Sequence, residues 1–212
     1  GMEPAWDNVA AFASTTGAKI LMGTPIMCDQ ADNDQNWEWT KQLLQRLPPG
    51  SLMGLAFGNE VELLHYKIGP EVPATCIPMM WEEGYLWRQF AKLADESAAL
   101  GYGQVPITCV FSGLSLFGSQ KLEPGGPEPF YEKPGYALVN SFLRNASTTY
   151  GARYAFSWNF YSYFEPSLVL DPGTSDQCNQ ALANAGCWRA DCWVPNRVQI
   201  ARAKMATLTG RS

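Results

Sequence analysis

A single histidine, His65, stands in a chain of 212 residues, and charged residues make up only 17% of it. With one imidazole and no C-x-x-C pair among its cysteines, the chain cannot complete a Cys/His zinc set of the usual spacing. No G-x-S-x-G elbow occurs, so a triad of His65 with Ser112 or Ser115 has no frame, and a bland polar histidine is the simpler reading. No Gly-rich phosphate fingerprint follows any apolar segment, which leaves a nucleotide-binding sheet unsupported. The longest apolar runs, such as Leu52 to Phe57, are far too short to cross a bilayer. Basic residues are outnumbered, 15 Lys and Arg against 20 Asp and Glu, giving a net charge of −5. That balance disfavours nucleic acid and anionic membranes, which need a basic footprint. No internal repeat, low-complexity tract or signal peptide is visible. Gly1 followed by Pro4-Ala5-Trp6 in a helical pattern suggests that position 1 is not a natural start.

Aromatic residues, by contrast, are plentiful at 13%, with Trp 8 and Tyr 9. An indole or phenol can stack on the apolar C–H face of a sugar ring, and it can equally fill a core. Six cysteines lie at positions 28, 76, 109, 178, 187 and 192. The last three crowd a Gly/Asn/Asp-rich stretch, which reads as a loop stapled by at least one disulfide in an oxidising compartment. Cys109, inside Ile107-Thr108-Cys109-Val110, reads as a small core residue. Asn145-Ala146-Ser147 is a glycosylation sequon pointing to the same compartment.

Apolar spacing alternates regularly between two periods. Pro4 opens a helix striped by Val9, Phe12 and Ala13 and stopped at Gly17. Ala18 to Met27 reads as a buried strand. Asn36 caps a second helix with Trp39, Leu43 and Leu47 on one face, ended by Pro48-Pro49-Gly50. Ser51 to Phe57 is a second strand. Glu82 and Glu83 begin a third helix, striped by Leu86, Phe90, Leu93 and Ala94. Val105 to Phe111 is a third strand, followed by a Gly/Pro-rich loop from Ser112 to Pro134. A fourth helix carries Val139, Phe142 and Leu143, and a fourth strand spans Tyr154 to Phe160. After a long polar loop, Pro195 opens a last helix with Val198, Ala201, Met205 and Leu208. Continuous apolar strands separated by amphipathic helices predict a parallel α/β sheet covered by helices. In a barrel of that kind chemistry sits at the C-terminal strand ends. Polar and aromatic groups gather there: Cys28-Asp29-Gln30, Gly58-Asn59-Glu60, Ser112 and Asn159-Phe160-Tyr161.

Glycoside hydrolysis with retention needs two carboxyl groups about 5–5.5 Å apart, one protonating the leaving oxygen and one attacking the anomeric carbon. The acid must keep its proton near neutrality, which a partly desolvated strand end favours. Glu60 stands at such an end, and Asn59 beside it can hydrogen-bond a sugar hydroxyl. By position alone Glu60 would also serve as an ordinary helix-start residue. Trp81, at a loop-to-helix junction, is a candidate sugar platform or a core residue; Trp158, inside an apolar strand, reads as core.

Leu55-Ala56-Phe57-Gly58-Asn59-Glu60-Val61 resembles the V-G-N-E-V segment of glycoside hydrolase family 17, the clan A β-1,3-glucanases. Ala18 to Pro25 looks like that family's preceding strand, and Pro106 to Ser112 is similar to its following one. Asn159-Phe160-Tyr161-Ser162-Tyr163-Phe164 is close to the family's N-[IL]-Y-P-Y-F segment, with Ser162 where the family usually has Pro. Pro166 to Asp171 sits where the family carries its next loop. The resemblance implies that Glu60 is the acid/base catalyst and that Asn59 and Asn159 contact substrate. It also implies that Tyr161 lies near the nucleophilic carboxylate. The family's nucleophile is a Glu in an E-T-G-W-P-like segment, and these residues contain none. Glu62, Glu165 and Asp171 are the carboxylates that would have to substitute, Glu62 sharing the side of Glu60 in an extended segment. The simpler expectation is that the nucleophile lies beyond Ser212.

The reading is therefore one domain over 1–212, a partial (β/α)8 TIM-type barrel holding strands three to six. It implies a secreted or cell-wall glycoside hydrolase or transglycosylase on β-1,3-glucan. The partner is a polysaccharide or oligosaccharide; no cofactor, metal, nucleic acid or membrane span is expected. A non-catalytic carbohydrate-binding or structural barrel lacking the nucleophile, or a clan A hydrolase of another family, is the alternative. Open sheet edges predict poor solubility or dimerisation of the isolated piece.

Overall fold

The computed structural model describes residues 3–70, 72–117, 138–161, 179, 182–183 and 186–211. The chain divides into two compact units, Gly1–Phe111 with Glu132–Ser157, and Ser112–Tyr131 with Trp158–Ser212. In chain order the helices are α1 (Glu3–Thr16), α2 (Gln30–Arg46), α3 (Cys76–Trp81), α4 (Tyr85–Ser97), α5 (Gly113–Phe117), α6 (Val139–Tyr150) and α7 (Trp193–Thr209). The strands are β1 (Ile20–Thr24), β2 (Leu52–Asn59), β3 (Ile107–Ser112) and β4 (Ser157–Asn159). They form one sheet in the order β1-β2-β3-β4. The pairs β1–β2 and β2–β3 are parallel, and Tyr154, just before β4, bridges in parallel to Ile107. Strand order that follows chain order, with a helix in each crossover, is the α/β arrangement that the alternation of periods predicts.

The core of the first unit is an aromatic cluster between the sheet and α2, α4 and α6. Phe90 packs edge-on against Phe57 at 5.9 Å, Phe142 at 5.1 Å and Tyr154 at 5.9 Å between ring centroids. Edge-to-face contact suits rings whose faces are negative and edges positive. Arg153 clamps the end of α4 to the segment that leads into β3, donating to the Val105 carbonyl at 3.1 Å, the Ala94 carbonyl at 3.2 Å and Ser97 Oγ at 2.9 Å.

Several boundaries differ from the sequence reading, each for a local reason. Helix α2 begins at Gln30, because the Asp29 carboxylate accepts from the amides of Ala31 at 2.7 Å and Asp32 at 3.1 Å; Asn36 lies inside the helix. Its buried face is Asn33, Trp37, Thr40 and Leu44, one step round from the predicted Trp39, Leu43 and Leu47. Helix α1 likewise buries Trp6 and Ala13, whereas Val9 and Phe12 are exposed. Helix α4 starts after Gly84, whose left-handed φ of 72° ends the preceding turn, so Glu82 and Glu83 precede the helix. Helix α3, with Pro78 inside it, was not foreseen. Helix α7 starts at Trp193, two residues before Pro195, and Val198 in its predicted stripe is exposed. Strand β4 is shorter than predicted, at Ser157–Asn159. The stripes of α4 and α6 are buried as predicted.

Candidate functional site

Strand β2 delivers Asn59 and Glu60 through an irregularity in the sheet. Its register against β3 shifts between Ala56 and Asn59. Gly58 turns the chain there with φ 87°, and a Cβ on it would sit 3.1 Å from Cys109 Sγ and 3.3 Å from Val61 Cγ2. Both the backbone conformation and the close approach call for glycine. The Glu60 amide still donates to the Val110 carbonyl at 2.8 Å, tying the residue to the sheet. Glu60 itself adopts φ 50° and ψ 37°, the only non-glycine residue with positive φ among the described residues. Such a conformation costs on the order of 1–2 kcal/mol for an L-residue. The Glu60 carbonyl then accepts from Leu63 N at 3.0 Å, and a 3-10 turn runs from Val61 to Lys67. Asn59 is exposed and Glu60 half-buried.

The turn separates the two neighbouring carboxylates. Glu62 is not on an extended segment with Glu60; it is buried, at 4% exposure, between buried Val61 and half-buried Leu63. The Cys109 thiol, wholly buried and outside any disulfide, is pushed well above its ordinary value, first by burial and then by the charge of Glu62. Cys109 is thus the core residue that the sequence predicts. His65 is anchored by Nδ1 at 2.8 Å from the Glu62 carbonyl, and its ring lies 3.7 Å from that of Tyr66. Because a carbonyl only accepts, Nδ1 carries the proton in that contact.

The loop that follows β1 is fixed by covalent and polar bonds. Cys28, just after the strand, is bonded to Cys76 at the start of α3, a pairing that nothing in their separation of 48 residues announces. Asn33 Oδ1 accepts from Met27 N at 2.7 Å while Asn33 Nδ2 donates to the Met27 carbonyl at 2.9 Å and to Tyr85 Oη at 2.9 Å. Tyr85 Oη donates in turn to Gln30 Oε1 at 2.9 Å. Burial is the first cause that raises the Tyr85 phenol above its ordinary value, so it is a donor near neutrality.

Of the remaining predicted residues, Trp81 is 6% exposed and packs in the first unit as core, which leaves its ring little face for a sugar. Asn159 and Tyr161 belong to the second unit. Asn159 ends β4 half-buried, and Tyr161 is 43% exposed. In that unit a Cβ on Gly113 would lie 2.9 Å from the Asn159 carbonyl and 2.5 Å from Phe160, so the start of α5 meets the end of β4 at a distance that only glycine allows. Trp158 is half-buried. Ser162, Tyr163, Phe164, Glu165, the stretch from Pro166 to Asp171 and Cys178 lie outside the described residues. Among the described residues no group of three His, Cys, Asp or Glu is placed to hold a metal ion, and no helix is long and apolar enough to cross a membrane. Compared with family models, with curated proteins and with solved structures, the chain matches none.

Proposed function

We propose that this chain belongs to a (β/α)8-type glycoside hydrolase or transglycosylase that acts on β-1,3-glucan with retention, with Glu60 as its general acid/base. The observation that carries the reading is the conformation of Glu60. A carboxylate at the C-terminal end of a parallel strand, held in the left-handed region where glycine would be cheaper, is a position maintained at a cost in stability. Active sites concentrate such positions, and this edge of a parallel sheet is where α/β enzymes keep their chemistry. In this reading Glu60 protonates the departing glycosidic oxygen and later takes a proton from the incoming water or hydroxyl. Asn59, next to it in the chain, hydrogen-bonds a sugar hydroxyl. In the family that the chain resembles the nucleophile is a Glu in an E-T-G-W-P-like segment, which these residues do not contain.

Two disulfides, and the absence of a long apolar helix among the described residues, are compatible with a secreted protein. We infer secretion or a cell-wall location, with Asn145 glycosylated: it is exposed on α6. A mass shift of the secreted protein that peptide N-glycosidase removes, and that Asn145→Gln abolishes, checks this.

The test of the catalytic role uses the natural protein that carries these residues, assayed on laminarin, cellulose and mannan. Laminarin cleavage or transfer with retained anomeric configuration is expected, and Glu60→Gln should lower kcat/KM by about a thousandfold. Laminarin bound but never cleaved would identify a carbohydrate-binding barrel instead. Cleavage of cellulose or mannan alone would move the protein to another clan A family.

A further inference from the structure

Trp188 is 76% exposed, the greatest exposure of any large apolar side chain among the described residues. A single exposed apolar residue is ordinary on a protein surface; its setting here is not. Trp188 stands inside a short ring closed by the Cys187–Cys192 disulfide, whose Cα atoms are 5.7 Å apart. The same ring is braced by the amide of Cys192, which donates to the Arg189 carbonyl at 2.9 Å. Cys192 is also the cap residue of α7, so the ring is rooted on a helix of seventeen residues. Two further residues of the ring carry opposite charges: Arg189 Nε lies 3.2 Å from Asp191 Oδ1, and both side chains are about three-quarters exposed.

Rings closed by a disulfide lose little conformational freedom when they bind, so contact made by their side chains is not offset by an ordering cost. Tryptophan adds a large rigid surface with only two rotatable side-chain bonds. An exposed flat apolar face in the same short ring as a guanidinium and a carboxylate matches a sugar, which offers an apolar C–H face rimmed by hydroxyls that both donate and accept. The net charge of −5 disfavours an anionic lipid surface or a nucleic acid as the occupant. We propose that the Cys187–Cys192 ring is a polysaccharide anchor: Trp188 stacks on a sugar ring while Arg189 and Asp191 hydrogen-bond its hydroxyls. The polymer, β-1,3-glucan, is taken from the function proposed above; the anchor itself lies in the second unit, whereas Glu60 lies in the first.

The natural protein is sedimented with insoluble β-1,3-glucan particles, with cellulose, and with zwitterionic lipid vesicles, and its activity on soluble laminarin is measured in parallel. Wild type should sediment with the β-1,3-glucan. Trp188→Ala should weaken that binding about tenfold, a loss in the range of one aromatic contact. Trp188→Tyr should restore most of it, and the double variant Cys187→Ser, Cys192→Ser should weaken it several-fold with Trp188 intact. Unchanged thermal melting of Trp188→Ala excludes a folding defect. Cleavage of soluble laminarin together with particle binding that Trp188→Ala leaves intact, or with no particle binding at all, overturns the anchor and spares the glucanase reading. No cleavage and no binding of any β-1,3-glucan by wild type overturns both. Loss of vesicle sedimentation alone in Trp188→Ala makes the ring a membrane contact and overturns the anchor.

Discussion

Strands β1 and β3 look alike as sequence and are held by different forces. Both are short and mostly apolar, Ile20 to Thr24 and Ile107 to Ser112. All six residues of β3 are buried, whereas β1 buries Met22 and Thr24 and leaves Leu21 and Gly23 exposed. The difference lies in their places: β3 lies between two neighbours, and β1 ends the sheet. Packing on β3 is aromatic, with Phe111 edge-on to Phe142 at 5.6 Å. Around β1 the ties are polar or covalent: Thr24 Oγ1 with Thr40 Oγ1 at 2.7 Å, Asn33 on both backbone groups of Met27, and the Cys28–Cys76 disulfide. A strand covered on one face gains less from burial, and here directional bonds hold the loop that follows it.

The largest expected effect falls on the packed strand. Phe111→Ala removes a fully buried ring and should lower stability by about 3–5 kcal/mol in urea unfolding. A loss under about 1 kcal/mol would erase the contrast between the two strands. Next is the covalent tie. Replacing Cys28 and Cys76 by serine together frees a loop spanning 48 positions and should cost up to about 4 kcal/mol by chain entropy. If reduced and oxidised protein unfold at the same urea concentration, the disulfide is not what secures the end of β1. Asn33→Ala strips both backbone groups of Met27 of their partner, and about 2 kcal/mol should be lost. Faster hydrogen exchange at the Met27 amide would localise that loss.

The smaller effects sharpen the comparison. Tyr150, on the aromatic side of the sheet, has its phenol pushed from 10.0 to about 12, by burial first and then by the Asp95 carboxylate. The folded state therefore holds this proton more tightly than the unfolded chain. Its contribution is whole below pH 10, the value of the unfolded phenol, and is lost as the pH rises through about 12. Tyr150→Phe should flatten the alkaline fall in stability over that window, measured by urea midpoints at successive pH values. Smallest of all, Leu21→Ala on β1 should change stability by less than about 1 kcal/mol, since its side chain is already 45% exposed.

Glu60 was legible as a candidate because an apolar run ended at a Gly-Asn-Glu sequence, and the structure adds its left-handed backbone and the glycine turn that precedes it. A disulfide among Cys178, Cys187 and Cys192 was legible from their crowding, and the structure supplies the partners, Cys187 and Cys192. The bond between Cys28 and Cys76 was not, because it depends on where the loop after β1 meets α3. Trp81 and Glu62 show the same limit. Neither residue type nor spacing tells whether a side chain at a loop junction turns inward, and both do.

By itself the sequence determined the alternation of strand and helix, the parallel sheet that such alternation enforces, and the stripes of α4 and α6. These follow from periodicity, which acts over a few neighbouring residues. Only the tertiary structure decided which strand is covered on both faces, which face of α1 and α2 is buried, and the backbone strain at Glu60. Those outcomes depend on contacts between residues far apart in the chain, where burial of one neighbour's surface overrides local preference.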